Sequence, residues 1–321
     1  MSAIERLRTR LAQIPTLHVL EDVPLRSYTR FGIGGPADLY AEADRPEPFV
    51  EALHAVRASG LPHLAIGSGT NLIISDEGFR GVVLRFTARR IAVAGERIAA
   101  DAGSELQDVV DCAISNGLKG LETMAGIPGS LGAAVYGNAG AYGHSISELV
   151  DRVRFFDGER ERVLRNEDCR FAYRESIFKR NKSWMIFSAE LLLKPGDAAE
   201  LRRTADEIMA SRNAKFPPAM KCAGSVFKNL LLADLPPAAA AQVPPYIIKE
   251  GKVPAAWFLE QAGAKGLSRG DIRVADYHAN LLYNAGEGTA RDLTALIAEL
   301  KRRVRERFGI ELEEEVQYVG F

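Results

Sequence analysis

Residues 117–143 read GLKGLETMAGIPGSLGAAVYGNAGAYG, and no other stretch limits the fold so strongly. From 126 onward glycines fall at 126, 129, 132, 137, 140 and 143, each three residues after the last apart from one gap of five. No charged side chain occurs from 124 to 143. Glycine weakens helices and strands, so this density needs a backbone reason. Left-handed turns are one; close approach of another group to the main chain is the other. Bare N–H groups can hold a pyrophosphate. A tight crossover inside a large α/β domain uses glycine in the same way, and spacing alone leaves both readings open.

A second stretch favours the ligand. Residues 64–75 read LAIGSGTNLIIS: an apolar strand, the turn Gly67-Ser68-Gly69-Thr70-Asn71, then another apolar run. Leu72 stands where a third glycine would complete the dinucleotide fingerprint, and no helix follows. No Gly-Lys-Ser/Thr follows either, so this is not a P-loop. Two glycine-rich turns in one chain point to a long ligand held at two places.

At 321 residues the chain has room for two or three cores. Its net charge of −1 gives no global attraction to nucleic acid or an acidic membrane surface, so local cations must meet any anionic ligand. The opening MSAIERLRTRLAQIP lacks the apolar core of a signal peptide, and no run reaches the length of a membrane span. Cys112, Cys169 and Cys222 are too scattered for a disulfide framework or a zinc motif, and the histidines show no metal-ligand spacing. No metal is expected, and a reducing cytoplasm is the simplest setting.

Helical spacing predicts a short helix over 4–13 and an amphipathic one over 46–59, stopped by Gly60. Strands are expected at 39–43, 63–66, 72–74 and 82–86, and β structure over 91–102. Ser104 with Gln107 reads as a capping box. Asp157-Gly158 predicts a hairpin across 153–163, ahead of a strand over 184–193. Asp197 opens a helix that Pro217 ends, and the Ala/Pro-rich residues 230–245 read as a loop or poorly packed excursion. A helix over 253–264 should turn Trp257 and Leu259 inward. Thr289 caps the best helix, Gly309 stops it, and a strand is expected over 310–318.

Four places could carry chemistry. Ser225 lies in GSVFKN without a Gly-x-Ser-x-Gly elbow, so a hydrolase nucleophile is not indicated. Tyr173-Arg174, in CRFAYRES, offers a cation for a carboxylate or flavin oxygen and a phenol to pack on substrate. Strand alternation places Glu313 and Glu315 on one side and Glu314 on the other. His278 precedes an apolar run. Taken singly, each also fits a purely structural role.

Taken together the motifs resemble one family. YTRFGIGGPADL, IGSGTNLIISDEGFRGVV, GLETMAGIPGSLGAAVYGNAGAYG, CRFAYRES, AGSVFKN, WFLEQAGAKG, HANLLYN and IELEEEV occur in that order. The chain resembles the UDP-N-acetylenolpyruvoylglucosamine reductases over nearly its whole length. The resemblance implies an α+β protein: a two-part PCMH-type (vanillyl-alcohol-oxidase-like) FAD-binding domain plus a C-terminal α+β substrate-binding domain. The parts would be 1–88, with the C-terminal strand 312–321 packing back on it, then 89–200, then the substrate domain 201–311. FAD would bind noncovalently, with no tether to His144, and NADPH would be the reductant. Its pyrophosphate would lie on Gly67, Ser68, Gly69, Thr70 and Asn71, and on Gly126, Ile127, Pro128, Gly129, Ser130, Gly132, Ala133 and Ala134, with Gly140 nearby.

The family's catalytic trio falls on Arg174, Ser225 and Glu315. Hydride would reach the terminal carbon of the enolpyruvyl double bond, and charge would flow into the carboxylate. Arg174 would stabilise that charge, Glu315 would orient and polarise the carboxylate end, and Ser225 would protonate the adjacent carbon. Tyr173, Lys228, Asn229 and His278 fall on substrate-contacting positions, and Arg212, Lys215 and Lys221 supply charge near the nucleotide-sugar pyrophosphate. Leu230 departs from the family's usual proline, and residues 231–250 lengthen the path to WFLEQ. The short interval from Tyr173 to Ser225 matches the compact class. A nucleotide-sugar substrate is implied, with no obligate protein partner. Two rivals share the glycine turns: a flavin oxidase of alcohols or phenols, and a nucleotide-sugar-binding module without flavin.

Overall fold

The computed structural model describes all residues from Met1 to Phe321. The chain forms two compact units. One comprises residues 1–23, 37–68 and 80–217; the other comprises 24–36, 69–79 and 218–321.

The first unit holds two larger sheets. Four strands run in the order His18–Pro24, Pro36–Ala43, Phe79–Phe86, His63–Ile66, the last two parallel. Five antiparallel strands run Glu161–Arg165, Val150–Phe156, Met185–Leu192, Arg97–Asp101, Ile91–Ala94. The helix Pro46–Ser59 buries Phe49, Leu53 and Val56 and ends at Gly60, as its periodicity requires. Phe49 meets Phe86 and Phe187 edge-on, at 5.7 and 6.0 Å, so a ring from each sheet packs on one helix. Burying each such ring contributes about 2 kcal/mol.

The second unit is built on the sheet Ser268–Arg269, Ile272–Ala275, His278–Asn284 and the helix Ala290–Phe308. Thr289 caps that helix and Gly309 closes it, with Leu293, Leu296, Ile297, Leu300, Val304 and Phe308 buried. Gln317–Val319 runs parallel to Leu72–Ile74. Asp76 accepts from Ala290 N and Arg291 N at 2.8 and 3.0 Å, tying residues 69–79 to the start of the long helix.

Four local expectations need correction. Ser104 caps nothing: the helix Leu106–Ser115 starts after Glu105 without a side-chain cap bond, and Ser104 Oγ is buried without a partner. Residues 230–245 are not poorly packed, because Leu235, Ala239 and Val243 enter the core of the second unit. Trp257 is only half-buried; Phe258 and Leu259 are the residues turned inward. The final strand spans only Gln317–Val319, matching the three-residue partner it pairs with.

Candidate functional site

In the first unit the two glycine turns meet. A Cβ placed on exposed Gly67 would lie 3.2 Å from Ser130 Oγ and 3.5 Å from Ala133 Cβ. A side chain at 67 would therefore fill the gap between the turns, as expected of a cradle for something slender. Several N–H groups of the longer turn are already engaged. Gly126 donates to Gln107 Oε1 at 2.8 Å, Ile127 to the Met124 carbonyl at 3.1 Å, and Gly132 to the Ala102 carbonyl at 2.9 Å. Ser130 caps the short helix Leu131–Tyr136: its Oγ accepts from Ala133 N and its carbonyl from Ala134 N.

The same unit places Arg174 beside that turn. Ala172 and Glu175 exchange N–H to carbonyl bonds of 3.0 Å each way, so Tyr173-Arg174 form a tight turn. Arg174 has φ +58°, a left-handed conformation that costs a branched or bulky residue about 1–2 kcal/mol. Its guanidinium donates to the Gly140 carbonyl at 3.2 Å and lies 5.2 Å from the Tyr173 ring centre. Ser176 Oγ donates to the Tyr136 carbonyl at 2.7 Å, and Asn138 Nδ2 to the Ala172 carbonyl at 2.8 Å, stitching CRFAYRES to the glycine-rich stretch. Burial, with the Glu175 carboxylate behind it, raises the Tyr136 phenol above its ordinary range.

Arg212 and Lys215 end the helix Ala198–Lys215 over one aromatic face. Their cationic groups lie 5.8 and 5.1 Å from the Phe216 ring centre. Burial first, and the Arg212 charge second, lower the Lys215 ammonium from its ordinary value. A Cβ on Gly126 would lie 3.2 Å from Arg212 Cδ, so this cation borders the glycine turn.

In the second unit three distant segments lie side by side. Ser225 bridges to Leu281, and Glu315 N donates to the Val226 carbonyl at 2.7 Å. Lys228 N donates to the Glu313 carbonyl at 2.9 Å, and Lys228 Nζ lies 2.5 Å from Glu313 Oε1. Ser225, Lys228, His278 and Glu315 are all half-buried, and Asn229 is exposed with its Oδ1 accepting from Ala255 N at 3.3 Å. Glu314 turns to Lys301, whose ammonium donates to both its carboxylate oxygens at 3.0 and 2.9 Å.

The rest of the shorter glycine turn belongs to this unit. Gly69 has φ +65°, and a Cβ there would lie 1.7 Å from the Tyr28 carbonyl oxygen. Only glycine fits. Asn71 Nδ2 donates to the Glu315 carbonyl at 2.8 Å. Sequence reasoning missed the supports: Gln107 under Gly126, Asn138 under Ala172, and Asn280, whose amide accepts from Phe227 N and donates to Phe227 O at 2.8 and 2.9 Å. Asn138, in the glycine-rich stretch, carried a signal, since asparagine is a residue that adopts its φ of +44° readily.

Comparison with known proteins gives the same picture. A family model described as an FAD binding domain matches residues 37–165. The model for the C-terminal domain of UDP-N-acetylenolpyruvoylglucosamine reductase matches residues 216–319. The reductase of that name from Solibacter usitatus is 64% identical over 311 residues, covering 97% of this chain and 100% of the relative. Its counterpart from Pseudothermotoga lettingae is 37% identical over 297 residues, covering 92% and 96%. The crystal structure of the Thermus caldophilus reductase superimposes with a TM-score of 0.73 at 29% identity, covering 94% of this chain and 98% of that one. The fold is thus α+β, a PCMH-type FAD-binding domain followed by the C-terminal domain of these reductases. With both models matched in chain order and near-complete alignment to relatives of one name, this chain belongs to the UDP-N-acetylenolpyruvoylglucosamine reductase family.

Proposed function

We propose that the protein reduces the enolpyruvyl double bond of UDP-N-acetylglucosamine enolpyruvate to give UDP-N-acetylmuramate, using NADPH and a noncovalent FAD, in peptidoglycan synthesis. The observation that carries the reading is the second unit's alignment of residues 225–228 with 313–315, which sets Glu315 beside the Ser225 segment. FAD, held at the two glycine turns, would supply the hydride-transfer chemistry between NADPH and the enolpyruvyl double bond.

The chain's own residues then have distinct tasks. Residues 1–88 and 89–200 serve the cofactor and 201–311 the substrate. Gly67–Asn71 and Gly126–Ala134 line the pyrophosphate, with Gly140 alongside. Because the N–H groups of Gly126, Ile127, Gly132, Ala133 and Ala134 are engaged within the protein, the contacts fall to Gly129 and Ser130. Arg174 holds the negative charge that builds on the substrate carboxylate, where a fixed cation is worth most out of water. Glu315 orients that carboxylate. Ser225 gives its hydroxyl proton to the carbon beside the carboxylate, a step open to so weak an acid only because the intermediate is strongly basic. Tyr173, Lys228, Asn229 and His278 contact the substrate, and Arg212, Lys215 and Lys221 supply charge for its diphosphate. Cys112, Cys169 and Cys222 are free thiols, in keeping with a cytoplasmic setting. No helix is long and apolar enough to cross a membrane.

The two half-reactions test the proposal. Mixed with NADPH, the yellow protein should bleach; adding the enolpyruvyl sugar should restore the colour. Ser225→Ala should keep the first step and slow the second by about 100-fold or more. Equal loss of both steps would remove Ser225 as proton donor, and reoxidation by oxygen alone would favour an oxidase.

A further inference from the structure

Arg174 occupies the third position of a four-residue turn, where a left-handed φ normally selects glycine or asparagine. An arginine stays there only if its surroundings hold it. One restraint is specific. The carbonyl of Arg174 accepts the Lys179 ammonium at 2.8 Å, and that ammonium also lies 3.1 Å from Glu175 Oε1. The Lys179 side chain is 20% exposed, so the contact is largely shielded from water. Lys179 is itself anchored. Its backbone N–H donates to Ser176 Oγ at 3.2 Å, and the same hydroxyl donates to the Tyr136 carbonyl in the glycine-rich stretch. Relaxing Arg174 to an ordinary backbone conformation would swing its carbonyl away from the ammonium and move the guanidinium from the Gly140 carbonyl.

We propose that Lys179 is a positioning residue for Arg174: its ammonium fixes the strained turn and so fixes where the guanidinium meets the substrate carboxylate. The catalytic part of this inference rests on the role proposed above for Arg174; the conformational part does not.

The test uses the FAD-loaded protein with Lys179→Met, Lys179→Arg, Arg174→Gly and the double variant Lys179→Met/Arg174→Gly. In Lys179→Met, flavin bleaching by NADPH should hold within about twofold. Turnover on the enolpyruvyl sugar should fall about 10- to 100-fold in kcat, with KM changing far less, as expected for a misplaced charge. Lys179→Arg should recover most of the loss, since it can still donate to the carbonyl. Stability gives a readout independent of chemistry. Losing the ammonium gives back strain energy only where Arg174 is strained, and glycine takes a left-handed φ without strain, so Lys179→Met should lower the urea midpoint more in the Arg174→Gly background than in wild type. Equal shifts in both backgrounds would overturn the inference, as would unchanged kcat or parallel loss of both half-reactions. If wild type bleaches but never turns over the enolpyruvyl sugar, the proposed function fails while the stability cycle still decides the conformational role.

Discussion

The Asn71 side-chain amide donates to the Glu315 backbone carbonyl at 2.8 Å, joining residues 244 apart in sequence. One is the last residue of the shorter glycine turn; the other is the carboxylate assigned to the substrate. Asn71→Ala strands that carbonyl and should cost about 1–2 kcal/mol. A urea titration would show it as a lower midpoint at unchanged slope. An unmoved midpoint would mean that the bond contributes nothing.

Gly69 and Gly60 share a left-handed backbone but differ in surroundings. At Gly60, φ +70°, a Cβ would have nothing within 4 Å, whereas at Gly69 it would collide with the Tyr28 carbonyl. Gly60→Ala should therefore cost about 1–2 kcal/mol, the conformational penalty alone. Gly69→Ala should cost more than about 4 kcal/mol, because backbone must move as well. Parallel thermal melts would compare them, and similar Tm losses would contradict the steric argument.

Asn280 is 2% exposed and satisfies both backbone groups of buried Phe227. Asn280→Leu keeps the volume and removes both bonds. Two unsatisfied groups at about 1–3 kcal/mol each make this about 2–6 kcal/mol. Equilibrium unfolding followed by circular dichroism would measure it, and a loss below the lower figure would show that the backbone finds other partners.

Lys215 gives a pH dependence with a definite sign. Its native pKa is lowered, chiefly by burial and then by Arg212, from an unfolded value of about 10.4. Between the native and unfolded values the unfolded chain holds the extra proton, so stability rises with pH across that window. The contribution is complete above the unfolded pKa and disappears as pH falls through the native one. Tyr40 and Tyr318, raised mainly by burial, act oppositely above about pH 10. Urea midpoints from pH 7 to 10 should rise less in Lys215→Met than in wild type; identical profiles would refute the assignment.

Local signals were legible. The helices Pro46–Ser59 and Ala290–Phe308 follow from periodicity and their end residues, because both act within one turn of chain. Ser104 shows where that logic fails. It satisfies the capping pattern, yet its N–H donates to the Asp101 carbonyl and its own carbonyl accepts from Leu131 N, so long-range pairing claims it. Composition misjudged residues 230–245 for the same reason: Leu235, Ala239 and Val243 find a core supplied by distant segments. The family was legible through eight motifs in order. The candidate site's supports at Gln107, Lys179 and Asn280 were not, because each acts through side-chain hydrogen bonds to distant or turn backbone that periodicity cannot locate.

The second unit is assembled from three stretches, 24–36, 69–79 and 218–321. On the ribosome the first two emerge long before the third. Until then Leu72–Ile74 has no strand beside it, fully buried Ile73 has no core to enter, and Asp76 has no helix to cap. Such non-local pairing folds late and leaves apolar chain waiting. Nascent protein should thus lean on holdase chaperones, and a fragment of residues 218–321 expressed alone would lack the pieces that complete it.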